Sequence, residues 1–235
     1  ENPGLVDQST KDNLGILLSK LDQHNVALFS ITDHNRFDPD IYLEINKILA
    51  LPDHPYQNVK AVLAGVEFDV ILDEGMSKCH IIAIFDANNE VDKLKRINES
   101  IQSHLIEDVQ GAYTKNDFEA VLKEIGLNTI LIASQRKDIN NQSGNHNSLS
   151  DSAINVEQII RVGYINALEF QKPKVEGILL NNLKRLTLPI SLFSGSDCHD
   201  WSCYPFHDSQ NQNKEFHHSK AKILPTFKGL LMAVT

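Results

Sequence analysis

Apolar residues recur along this chain in two rhythms. Leu14, Leu17, Leu18 and Leu21 share one face of a helix, behind a capping-box-like start at Ser9 with Asp12 three residues on. The run "VALFSI" that follows reads as a buried strand. Asp38 with Pro39 starts a second helix, whose apolar stripe is Ile41, Ile45, Ile48 and Leu49. "VKAVLAGVEFDVIL" and "CHIIAIF" are two β-rich runs joined by "DEGMSK", which reads as a hairpin turn. A polar helix is predicted from about Val91 to His104. Another, "TKNDFEAVLKEIG", is capped by Thr114, closed by Gly126, and feeds the strand "NTILIAS". The sequence repeats this order as "INALEF", a helix around Val175 to Lys184, and "LPISLFSGSD".

Helices alternating with short apolar strands predict βαβ units, hence an α/β barrel or a doubly wound sheet. Two segments interrupt the pattern. Residues 138–152 are rich in Asn and Ser and read as a long mobile loop, and residues 201–220 read as a second polar excursion. Neither has the character of a linker between two cores, so residues 1–235 are expected to form one domain.

Composition narrows the class. At 235 residues and 41% hydrophobic, the chain is long enough for a full core. No apolar run approaches the ~18 residues of a membrane span, and the polar, acidic start is no signal peptide. Cys79, Cys198 and Cys203 make no paired framework and no CxxC, which fits a reducing cytoplasm. A net charge of −9 argues against broad electrostatic adhesion to nucleic acid, although bound divalent cations would offset it at a site. Because the chain lacks an initiator Met, it is expected to be a fragment of a longer protein.

Candidate chemistry lies at the strand ends. Asp33 and His34 end the first strand, Glu67 sits between Val66 and Phe68, and His80 opens "HIIAIF". Ser134 and Gln135 end "TILIAS", Glu169 lies in "INALEF", and Asp197 and His199 end "LFSGSD". In a parallel barrel the C-terminal strand ends converge on one rim. Capping of the next helix is the lesser alternative for Asp33, and His24, His54, His217 and His218 read as surface or loop residues. A carboxylate at Glu67 is harder to place in a strand meant for burial. Asp197 and His199, two apart in extended chain, project to one side. His, Asp and Glu without clustered Cys suit Zn, Mn or Fe at a hydrolytic site, where metal-bound hydroxide attacks a phosphoryl group. No GxxxxGK[ST], GxGxxG or GxSxG motif is present to support nucleotide, dinucleotide or serine-hydrolase chemistry.

In this order, "ITDHN", "GVEF", "HIIAIF" and "GSDCHD" resemble the motifs of the PHP (polymerase and histidinol phosphatase) superfamily, over about residues 10–235. The resemblance implies a distorted (β/α)7 TIM-like barrel that hydrolyses phosphoesters with up to three divalent metal ions. It implies His34, Glu67, His80, Asp197 and His199 as ligands, Glu67 bridging, with Asp33 orienting His34. Asp33 and Glu67 are thus the implied catalytic carboxylates. The stretches "GSDCHDWSCYP" and "KILPTFKGLLMAVT" look like bacterial PHP proteins in which this domain precedes an SMC-like or AAA ATPase, a group associated with nucleic-acid processing and phage defence. The implied partners are a DNA or RNA phosphoester and an ATPase module. Two departures accompany the resemblance. The family's first His-x-His strand does not occur in this sequence, and Ser134, beside Gln135, stands where relatives have His. Three readings follow: a nuclease or phosphodiesterase, a binding module that has lost its chemistry, and a small-molecule phosphatase.

Overall fold

The computed structural model describes residues 10–72, 79–104, 112–133, 160, 163–170, 173–187, 189–207, 209–211 and 216–235. Ser9, the "DEGMSK" turn, Ser134, Gln135 and the 138–152 loop lie outside the described residues. Helix α1 (Leu14–Gln23) buries the four leucines that the spacing selects and leads into β1 (Leu28–Ile31). Helix α2 (Pro39–Leu49) begins at Asp38, whose carboxylate accepts from the amides of Asp40 (2.9 Å) and Ile41 (3.0 Å). This satisfies two donors that the first turn leaves over. The helix buries Ile41, Tyr42 and Ile45, whereas Ile48 and Leu49 are only half-buried.

Strands β2 (Ala61–Ile71) and β3 (Cys79–Phe85) precede α3 (Val91–Ser103), the short β4 (Tyr113–Thr114) and α4 (Lys115–Ile125). Thr114 caps α4 by accepting from Asp117 N, and Gly126 closes it in the left-handed conformation (φ 62°). Then come β5 (Thr129–Ala133), β6 (Ala167–Phe170), α5 (Pro173–Leu186), β7 (Ser191–Ser194) and α6 (Phe227–Val234). No helix among the described residues is long and apolar enough to cross a membrane.

The strands form one mixed sheet in the order β1-β2-β3-β5-β6-β7, with β4 beside β2. Neighbours run parallel except at β3, which is antiparallel to both β2 and β5. That reversal is where the sheet departs from an all-parallel barrel. Val70 pairs with Cys79, and so short a connection has no room for a crossover helix.

Alternation along the strands sorts side chains onto two faces. Val62, Ala64, Val66, Phe68 and Val70 of β2, with Ile81, Ala83 and Phe85 of β3, join the core that contains α1 to α4. Leu63, Ile84, Ile130, Ile132 and Ala167 point the other way, into a second cluster closed by Phe227, Leu230 and Val234 of α6. That helix therefore covers the inner face where the parallel strands begin. Toward the strand ends the same face changes character, because β2 continues it from Leu63 and Gly65 to Glu67 and Asp69.

The ends of the sheet approach each other through the segment after β7. Trp201, in the 3-10 turn Trp201–Cys203, is 5% exposed in the same core as the α1 leucines. Tyr204 meets His24, at the end of α1, edge-on with ring centroids 5.6 Å apart. The start of the expected polar excursion is thus corrected to a packed element: its Trp and Cys are buried because they return the chain to α1.

Gly65 tests the crowding of the inner face. A Cβ there would lie 2.3 Å from Ser30 Oγ, 2.8 Å from Ile84 Cδ1 and 2.9 Å from Thr32 Cγ2, with Ser30 Oγ held by donation to Leu63 O (2.9 Å). Gly65→Ala is expected to lower stability by about 1–3 kcal/mol in urea unfolding, as overpacking does. Gly177→Ala, in α5 with nothing within 4 Å of its new methyl, is expected to raise it by roughly 0.5–1 kcal/mol.

Candidate metal centre

Beyond Ile31, β1 stops pairing as a regular strand but stays alongside β2. Glu67 N donates to Asp33 O (3.2 Å), Asn35 N donates to Glu67 O (2.7 Å), and His34 forms an isolated parallel bridge with Glu67. Asn35 then takes a left-handed φ of 49°, a conformation Asn tolerates, and its side chain accepts from Asp69 N (3.3 Å). These contacts fix His34 beside the end of β2. On β2, Glu67 and Asp69 are two apart and share the inner face. The antiparallel register puts His80 directly opposite Asp69.

The four side chains meet as two rings between two carboxylates. Glu67 Oε1 lies 2.7 Å from His80 Nδ1 and 3.5 Å from His34 Nδ1. Asp69 offers Oδ1 to His80 Nε2 (3.0 Å) and Oδ2 to His34 Nε2 (3.2 Å). Each imidazole therefore turns Nδ1 to Glu67 and Nε2 to Asp69. Asp69 is 1% exposed and His80 5%, whereas the His34 side chain is half open to solvent. So the cluster is closed on the strand side and open on the His34 side.

Hydrogen bonding to Asp69, then to Glu67, raises the His34 pKa to about 9 against the opposing effect of partial burial. For His80 burial is the largest influence and lowers the pKa, but Asp69 and Glu67 together overcome it and bring it to about 9. Without a metal, both rings carry a proton at neutral pH.

A second trio follows β7. Asp197, His199 and His207 bring one ligand atom each within 4.8 Å of one another, as do His34, Asp69 and His80. Asp197 Oδ1 is 3.3 Å from His199 Nε2, and Oδ2 is 3.5 Å from His207 Nδ1. Close behind them, Glu169 is buried on β6 and occupies the space over Gly195, where a Cβ would fall 1.4 Å from its Oε1.

The structure thus brings together His34, Glu67 and His80 in one cluster, and Asp197 with His199 in another. Asp33 lines an adjoining cavity with Arg36, Phe37 and Tyr42, while both ring nitrogens of His34 face Glu67 and Asp69. Two residues enter that the motifs did not select. Asp69 was legible as the period-two partner of Glu67. His207 carried no sequence signal, since only the fold of its loop returns it to Asp197. Both donor sets fit a divalent ion: nitrogen and carboxylate oxygen without thiolate suit Zn, Mn or Fe.

No family model matches the chain, and no curated protein matches it. A solved structure of a proposed metal-dependent phosphoesterase from Bifidobacterium adolescentis is similar over 83% of this chain and 85% of its own, at 16% identity and a TM-score of 0.47. With a likeness of that size, function has to be read from the side chains themselves.

The protonated rings give a pH signature. Folding raises each pKa from 6.5 to about 9, so the stabilisation is fully present below about 6.5 and fades as pH climbs through 9. Urea unfolding of metal-stripped protein is expected to show stability falling over that window, with Asp69→Asn flattening the fall. Saturating Zn should reverse the trend, because ligation requires the neutral rings. A metal-stripped protein that gains stability across the same window contradicts this account.

Proposed function

We propose that the protein is a metal-dependent phosphoester hydrolase. One observation carries the reading: His34, Asp69 and His80 converge on one point at the end of β2 and the start of β3, with Glu67 behind both rings. His34 Nε2, His80 Nε2 and an oxygen of Asp69 would hold the metal. A divalent ion bound there supplies Lewis acidity toward a phosphoryl oxygen and a lowered pKa for water. Glu67 then accepts from both Nδ1–H groups, which fixes the tautomer that leaves Nε2 free and strengthens the rings as donors. Asp69, inside the protein, sets where the ion sits. His34, half exposed, marks the side from which substrate arrives.

For the substrate, we extend the proposal to a phosphodiester of nucleic acid, in keeping with the motif resemblance and with an ATPase module as partner. The −9 charge requires that the metal, rather than a basic surface, meet the phosphate. One specific observation favours a second reading, a binding module without chemistry: in the metal-free state the two carboxylates and two protonated rings already satisfy one another. Metal uptake separates the readings.

Mn- or Zn-loaded protein is expected to cleave a single-stranded oligonucleotide or a bis(nitrophenyl) phosphate faster than phosphate monoesters. A chelator should abolish the activity. His80→Ala and Asp69→Ala should each lower kcat/KM by at least about 100-fold, as expected when a metal is lost from its site. Glu67→Gln should lower it by roughly 10–100-fold while metal still binds, which is the mark of a positioning residue. Preference for monoesters would replace the diester assignment, and failure of the wild type to take up metal would replace the enzyme with the binding module.

A further inference from the structure

His24 and His218, which read from the sequence as surface or loop residues, stack on each other in the fold. Their ring centroids are 5.5 Å apart and their planes 26° from parallel. Tyr204 meets both rings, at 5.6 and 6.2 Å, and Phe216 packs edge-on against His218 at 4.7 Å. The pair bridges the two ends of the sheet. His24 ends α1, the helix that leads into β1, while residues 216–220, which carry His218, are tied to β7. There Ser219 N donates to Ser194 Oγ (2.7 Å), and Ser194 N donates to Ser219 Oγ (2.7 Å). His217, next to His218 in the chain, turns instead to Glu176 of α5 (3.5 Å).

The surroundings of His218 suit a neutral ring and oppose a charged one. Its Nε2 is buried and has no hydrogen-bond partner among the described residues. The ionisable groups that act on it are His24 and Lys220, and Tyr204, whose hydroxyl is kept protonated by burial, adds no negative charge. Burial first, then His24, then Lys220 lower the pKa of His218 from its ordinary 6.5. A proton added to this ring would set a cation beside a second imidazole and an ammonium, with an N–H that meets no acceptor until the ring reaches water. Because folding lowers this pKa, the neutral contact stabilises the protein above 6.5 and weakens as pH falls below it. His34 and His80 have the opposite sign, since their raised pKa values add stability on the acid side.

We infer that the His24–His218 stack is a proton-sensitive latch: it holds residues 216–220 between α1 and β7 while His218 is neutral, and protonation of His218 releases that strap from Ser194. The latch uses no residue of either cluster that fits a metal, so it stands whether or not the phosphoesterase reading holds.

Hydrogen exchange of the full chain, followed by NMR at about pH 7.5 and about pH 5.5 and corrected for the intrinsic pH dependence of exchange, tests the latch. The amides of Ser194 and Ser219 are expected to lose protection by at least about tenfold at the lower pH, while those of β2 and β3 keep theirs. His218→Phe retains a ring for the stack but takes up no proton, and is expected to protect both serine amides equally at the two pH values. In the wild type, the imidazole with Overhauser contacts to Tyr204 and Phe216 should titrate with a midpoint below 6.5, in step with the serine amides. That measurement needs no variant. Three outcomes overturn the inference: equal protection of the two serines at both pH values in wild type, an acid loss undiminished in His218→Phe, or a His218 midpoint at or above 6.5.

Discussion

Everything in this architecture that bears on chemistry depends on keeping the Asp69 carboxylate inside the protein. An ion removed from water loses several kcal/mol of solvation unless other charges meet it, and Asp69 is 1% exposed. Two imidazoles at 3.0 and 3.2 Å supply the compensation. One of them, His80, arrives through the antiparallel β2–β3 register, and the other, His34, through the parallel extension of β1. A slip of one residue in either pairing would turn the imidazole to the opposite face, among the apolar side chains of the α1–α4 core. The reversal of β3 is therefore a requirement of the site: it aligns a residue near the start of one strand with a residue near the end of its neighbour.

The same constraint makes protons and a divalent metal equivalent there in charge. Two carboxylates with two imidazolium rings sum to zero charge. So do two carboxylates, two neutral rings and one divalent cation. Exchange of two protons for one ion leaves the net charge of the pocket unchanged, while Asp69 would trade its two N–H partners for the ion. The pKa values near 9 express how firmly the metal-free form holds its protons. A metal has to displace those protons at neutral pH.

The helices were legible because their signals are local. Asp38 with Pro39, Thr114 with Gly126, and the leucines of α1 need no distant partner to act. The strands were legible as apolar runs, and the hairpin as a short polar break between two of them. What escaped was what depends on register. Asp69 shares a face with Glu67 by simple alternation, yet only its pairing with His80 distinguishes it from any other acid near a strand end. Trp201 and Cys203 stood in a polar context that read as loop, and they are buried because α1 lies across from them. His207 needed the loop to close on itself. Ser134, where the motif comparison expected a histidine, lies outside the described residues.

Function and closure of the sheet meet in the segment after β7. Its first part carries Asp197 and His199, its middle places Trp201 and Tyr204 against α1, and His207 returns to the main chain of Asp197. Apolar burial of Trp201 contributes stability of the order of ~2 kcal/mol or more and ties this segment to the helix that precedes β1. The ligands of the second trio are thereby held on both sides of an anchored aromatic residue, so the exposed end of the loop is positioned by a buried one. In the Asp69 cluster the backbone ladder provides the rigidity, whereas in the loop a packed side chain, one main-chain hydrogen bond and one from the His207 ring to the Asp197 carbonyl do so. The Asp69 cluster is thus held deep between paired strands, whereas the trio after β7 is shallow and is held by an anchored loop.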